Sequence, residues 1–137
     1  LWTKDEAEYH GQYYDFPPVY CNPKPVQKPH PPVLLGGNAK NVLQRVARWG
    51  DGWLPNRATP DQIEESKKIL EVLEAERGRE PGSLTISVFG QSPDTTRQQV
   101  NDFLNAGALR VAAWAPHCET EAKMGEELER MAETMII

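Results

Sequence analysis

Pro32-Val33-Leu34-Leu35-Gly36-Gly37-Asn38-Ala39-Lys40, followed a helix later by Gly50-Asp51-Gly52-Trp53-Leu54-Pro55, is the stretch that decides the fold. Val33-Leu34-Leu35 is a short continuous apolar run, as in a strand covered on both faces. From Ala39 to Trp49 the apolar residues Val42, Leu43, Val46, Ala47 and Trp49 recur at helical spacing. Gly50 is expected to end that helix in the left-handed conformation. Gly52-Trp53-Leu54 reads as a second strand. The result is a strand–helix–strand unit whose first turn is made by two glycines. Such a turn bares backbone amides at a helix start, and bare amides there suit a phosphate.

The same alternation continues downstream. Thr59-Pro60-Asp61-Gln62 carries a capping residue, a first-turn proline and the glutamine of a capping box. Ile63, Ile69, Leu70 and Leu73 supply the buried face of that helix, and Gly78 stops it. Leu84 to Phe89 is a third strand. Ser92-Pro93-Asp94-Thr95 opens a helix with Val100, Phe103 and Leu104 inward and Gly107 at its end. Leu109 to Trp114 is a fourth strand, and Glu119 to Met135 a last helix with Met124, Leu128, Met131 and Met135 on one face. Strand–helix units in a row predict an α/β fold with a parallel sheet. Two architectures fit: an open doubly wound sheet, or an arc of an eight-fold barrel.

Upstream the character changes. Glu8 to Phe16 reads as two short strands around a His10-Gly11 turn, and Pro17 to Pro32 as a proline-rich extended connector. This region has too few apolar side chains to form a domain alone. The expectation is one domain over residues 1–137, with residues 1–32 as hairpin and proline-rich insertion and residues 33–137 as the β/α units. A net charge of −5 with no block of Lys or Arg argues against a nucleic-acid surface. No apolar run approaches the ~20 residues of a membrane span, and the start Leu1-Trp2-Thr3-Lys4-Asp5-Glu6 does not read as a signal peptide. Cys21 and Cys118 are far apart, so a reduced, cytoplasmic protein is expected.

Phe16-Pro17-Pro18, Asn22-Pro23-Lys24-Pro25-Val26-Gln27-Lys28-Pro29-His30-Pro31-Pro32, Leu35-Gly36-Gly37 and Gly50-Asp51-Gly52-Trp53-Leu54-Pro55, in this order and spacing, resemble the luciferase-like monooxygenase family. The branch they resemble most is the deazaflavin-dependent oxidoreductases that use coenzyme F-420. The resemblance implies a (β/α)8 TIM barrel of roughly twice this length, of which this sequence corresponds to the C-terminal half. Leu1-Trp2-Thr3 would end the fourth helix, and the four strands would be the fifth to eighth. It implies a flavin- or deazaflavin-dependent oxidoreductase or monooxygenase, with coenzyme F-420 or FMN as cofactor and a small-molecule substrate. It also implies an incomplete site, because catalytic side chains come from the other half; none is assigned here.

By the same resemblance, Gly36, Gly37, Asn38, Ala39 and Lys40 hold the cofactor's phosphate. Asn38 would cap a helix beginning near Ala39, and Lys40 would add a positive charge. Without the resemblance, the glycines could equally make only a tight turn. Trp53 is either a wall of the cofactor pocket or a core tryptophan. Arg57, after Asn56, reads first as a solvated surface residue and second as a partner for an anion. His117 and Cys118 read as ordinary loop residues, and neither they nor His10 and His30 show metal-ligand spacing. A half-barrel would leave two open sheet edges and a bare interior, with Leu34, Trp53, Val88 and Val111 as candidate inward residues. A homo-oligomer or a complementary half-barrel would cover them. The competing function is a non-catalytic phosphate-ligand binder or self-assembling module; a third reading, a doubly wound sheet with an unrelated ligand, fits the periodicity but not the flanking motifs.

Overall fold

The computed structural model describes residues 1–136. They divide into two compact units, Leu1–Pro32 and the segment from Val33 on. In the first unit, β1 (Glu6–His10) pairs antiparallel with β2 (Asp15–Tyr20), bulged between Ala7 and Tyr9. The turn therefore covers 11–14, later than the expected His10-Gly11, with the Gly11 amide donating to the Tyr14 carbonyl at 2.9 Å. Pro17 and Pro18 lie inside β2 rather than in the connector. A two-stranded sheet has only edge strands, and an edge tolerates the missing donors. Lys24 ties the connector back to the chain start by donating to the carbonyls of Leu1, Lys4 and Asp5.

In the second unit the strands β3 (Leu34–Gly36), β4 (Gly52–Leu54), β5 (Thr85–Gln91) and β6 (Arg110–Ala113) form one parallel sheet in chain order. They alternate with α1 (Val42–Trp49), α2 (Pro60–Glu76), α3 (Arg97–Asn105) and α4 (Glu121–Met135). A doubly wound sheet reverses its strand order at a switch point. None occurs among the described strands, and the strands follow chain order as they do in an arc of a barrel.

Local chemistry explains the helix ends. The Thr59 hydroxyl accepts from the Gln62 amide and the Gln62 side chain accepts from the Thr59 amide, with Pro60 in the first turn. Thr96 and Gln99 repeat the device on α3, which therefore starts later than the expected Ser92-Pro93-Asp94-Thr95. Gly50 corrects another expectation. Its φ of −104° and ψ of 172° are extended, not left-handed. Glycine is needed there for space, because a Cβ would strike the Leu35 side chain and come within 3.2 Å of the Val33 carbonyl.

The core lies between the sheet and the helices. Val46, Ile63 and Val88 are fully buried there, with Trp53, Leu70, Ile86 and Phe103 around them. Each large apolar side chain so buried contributes about 1.5–3 kcal/mol. The register Leu35↔Trp53↔Ile86 and Val88↔Val111 puts this row on the helix side. Trp53, Val88 and Val111 are thus not inward residues of a barrel. The expectation failed because an apolar residue in a strand shows no preference between the helix side and a barrel interior, both of which are apolar. Leu34 does lie on the opposite face, beside Gly52 and Thr85: a Cβ on Gly52 would come within 2.7 Å of Leu34 and 2.5 Å of Thr85.

Glu74 is a buried carboxylate with a structural task. It accepts from the amides of Leu84 at 2.6 Å and Gly82 at 2.9 Å and from the Ser83 hydroxyl at 3.2 Å. One side chain so shapes the whole approach to β5. No described helix is long and apolar enough to cross a membrane.

Candidate functional site

In a parallel α/β arc the ligand end is where the strands finish and the helices start. Here that end is formed by Gly37 to Asn41, Pro55 to Thr59, Gly90 to Thr96 and the residues after Ala113. Three cross-connections hold it together. The Trp53 indole N–H donates to the Gly37 carbonyl at 2.8 Å. The Asn38 amide donates to the Asn56 carbonyl at 2.9 Å, and its oxygen accepts from the Asn56 amide at 3.2 Å. The Arg57 amide donates to the Phe89 carbonyl and the Phe89 amide to the Pro55 carbonyl, both at 2.9 Å.

The glycine turn differs from its expected form in three ways. First, α1 begins at Val42, not near Ala39, and the segment between is a turn closed by the Val42 amide on the Ala39 carbonyl. Second, Asn38 caps no helix; its side chain clamps the ends of β3 and β4. Asn41 holds the N-cap position and makes no side-chain cap. Third, the Gly37 amide is taken by the Leu54 carbonyl at 3.3 Å. Among the described residues, the amides of Asn38, Ala39, Lys40 and Asn41 donate to no protein acceptor.

Gly37 has a φ of +97°, a region that L side chains avoid. The space above the turn is open: a Cβ on Gly37 would meet nothing within 4 Å, and one on Gly36 only the Leu54 carbonyl at 3.8 Å. Gly36, Gly37, Asn38, Ala39 and Lys40 are all exposed, and no described side chain pairs with the Lys40 ammonium. A cavity of about 220 Å³ opens beside them. Its lining includes Asn38, Ala39, Lys40, Trp53, Gln62 and, as the one carboxylate, Glu65. Trp53 itself is only 5% exposed, a core residue whose edge reaches this cavity.

The other sequence candidates sit apart from this turn. Arg57 follows Asn56 beyond the end of β4, exposed and, among the described residues, without an ion pair. His117 is exposed beyond β6, and the Cys118 thiol lies 3.7 Å from the Pro116 carbonyl. His10 bonds to Asp15 in the hairpin, and His30 lies beside Pro31. No three His, Cys, Asp or Glu of the described residues cluster as metal ligands. Sequence reasoning missed Gln91 and Trp114. The Gln91 Nε2 is buried without a hydrogen-bond partner, and Trp114 packs edge-on against Phe89 at 4.8 Å. Their only signal was position: Trp114 ends the expected fourth strand, and Gln91 lies just past the expected third.

Comparison with known proteins bears on the family and the fold. Residues 1–135 match the family model of the luciferase-like monooxygenases. An uncharacterised protein of Mycobacterium tuberculosis is 44% identical over 82 residues, which are 58% of this chain and 28% of that protein. The FMNH2-dependent dimethylsulfone monooxygenase of Pseudomonas putida is 38% identical over 52 residues, 36% of this chain and 14% of that enzyme. The coenzyme F420-dependent tetrahydromethanopterin reductase of Methanopyrus kandleri superposes with a TM-score of 0.65 at 14% identity, over 90% of this chain and 56% of that one. The match therefore spans little more than half of the solved neighbour and under a third of the curated relatives. With the family match over residues 1–135, the chain belongs to the luciferase-like monooxygenase family.

Proposed function

We propose that this chain supplies the cofactor-phosphate part of the site in a flavin- or deazaflavin-dependent oxidoreductase, with FMN or coenzyme F-420 as cofactor. The observation that carries the reading is the row of uncommitted amides from Asn38 to Asn41 beneath open space at Gly36 and Gly37. A phosphate oxygen is a strong acceptor, and charge-assisted bonds to backbone N–H groups are about twice as strong as neutral ones. The positive end of α1 and the Lys40 ammonium add favourable charge. Glu65 on the far wall opposes it, so Lys40 sets the local balance.

Each neighbouring residue has a task in this reading. The Asn38 side chain is withdrawn from the ligand by its clamp on Asn56, while its backbone amide stays uncommitted. Trp53 fixes the Gly37 carbonyl and so the orientation of the turn. When bound, the cofactor supplies hydride or oxygen chemistry that protein side chains lack. The chain's contribution is to hold the tail. β3 and β6 each pair on one side only. A complementary arc, from a second copy or from another segment, would complete both the sheet and the reaction pocket.

Fluorescence titration of FMN and of coenzyme F-420 tests the reading. Binding of either should fall at least tenfold in Gly37→Val, with the fold preserved by circular dichroism. Unchanged binding in the variant, or no binding of either cofactor to the parent chain, refutes it.

A further inference from the structure

A second cleft, of about 650 Å³, opens at the same end of the sheet, lined by Arg57, Gly90, Gln91, Ser92, Pro93 and Trp114. It shares no lining residue with the cavity beside the glycine turn. Three independent features mark it. Arg57 has a φ of +53°, the only described non-glycine residue in the left-handed region. An arginine gains nothing there that glycine would not supply at lower cost. The left-handed backbone holds Arg57 locked onto Phe89 through its amide while its guanidinium pairs with no carboxylate among the described residues. Gln91 brings a buried Nε2 that makes no hydrogen bond, and unmet buried donors are rare unless something else meets them. Trp114, 52% exposed, adds an aromatic face and edge.

We propose that this cleft receives the anionic group of the substrate, a carboxylate, sulfonate or phosphate on a small organic molecule, and that Arg57 is its specificity-determining residue. Arg57 presents a planar fork of donors to two oxygens of the anion, and the Gln91 amide adds a neutral donor. Trp114 packs against the organic part. Arg57, Gln91 and Ser92 also line another cleft, of about 520 Å³, but it contains Asp94 and Asp102. Those carboxylates disfavour an anion, so the acid-free cleft with Gly90 and Trp114 is the binding one. The assignment of this group to substrate rests on the cofactor tail occupying the glycine turn.

Amide-resolved NMR with inorganic sulfate and, separately, FMN tests the proposal. In the parent chain, sulfate should shift the Gln91 side-chain amide and the Gly90 amide. Arg57→Gln should weaken that response at least tenfold while leaving FMN binding at Asn38 to Lys40 unchanged. Arg57→Gly, which relieves the left-handed strain, should lose the response in a chain that melts at a higher temperature. Sulfate shifts confined to Gly37–Lys40, or an equal response in Arg57→Gln, overturn the proposal. So does loss of FMN affinity in Arg57→Gln, which would assign Arg57 to the cofactor tail. Failure of FMN to bind, with the sulfate response at Gln91 intact, would instead refute the cofactor reading and leave an anion cleft without its assignment to substrate, overturning that part of the inference.

Discussion

Replacing Trp53 by phenylalanine separates the two roles of this residue, core filler and clamp on the glycine turn. The indole is 5% exposed, and its N–H donates to the Gly37 carbonyl at 2.8 Å. Phenylalanine fills most of the same space but carries no donor. Loss of a protein hydrogen bond of this kind costs about 1 kcal/mol. The smaller ring leaves a partial void in a packed core, for about 1–2 kcal/mol more. The sum is about 2–3 kcal/mol. With a urea dependence of about 2 kcal/mol per molar, the unfolding midpoint should drop by roughly 1–1.5 M with an unchanged slope. FMN affinity should fall as well, because the turn loses the bond that orients it. Leu70→Ala is the control: it is buried in the same core, away from the turn, and should lower the midpoint comparably with FMN affinity intact. A midpoint shift under 0.2 M in Trp53→Phe, or equal loss of affinity in the control, would refute the clamp.

Glu74→Ala should destabilise by about 2–4 kcal/mol, read by thermal or urea unfolding, since it strands the buried Leu84 amide. Gly82 and Ser83 are exposed and can recover water. Glu64 and Lys68 form an exposed pair at 2.7 Å on α2, whose hydrogen bond holds the Glu64 carboxyl below its usual range and the Lys68 ammonium above its own. A carboxyl depressed on folding stabilises above its unfolded value of 4.5 and loses that effect as pH falls through its lowered folded value. The stability difference between the parent and Glu64→Gln should therefore shrink below pH 4.5, and should shrink at neutral pH in high salt. A difference that persists in acid or salt would contradict the ion pair.

Strand and helix order was legible because each signal was local. Thr59-Pro60 with Gln62 is a complete capping device in consecutive residues, and it forms as read. The inward-facing residues were not legible: Val33-Leu34-Leu35 is apolar throughout, and the alternation of Ile86-Ser87-Val88 shows which residues share a face but not which face meets the helices. Which alternate residue meets a helix depends on register, a non-local property. The start of α1 was misplaced for a related reason: Asn38 is a good cap by type, but Asn56, distant in sequence, captures its side chain. Gly50 ended α1 as expected, yet for space rather than backbone freedom. Gln91 was invisible because a lone glutamine gives no signal until its neighbours are known.

The central claim is that the Asn38, Ala39 and Lys40 amides receive an anionic cofactor tail. Titrating FMN into isotopically labelled chain, with riboflavin as the phosphate-free comparison, measures it directly. Saturable shifts of those amides are expected with FMN and none with riboflavin. Amides that stay unmoved at saturating FMN, or that move equally with riboflavin, would contradict it.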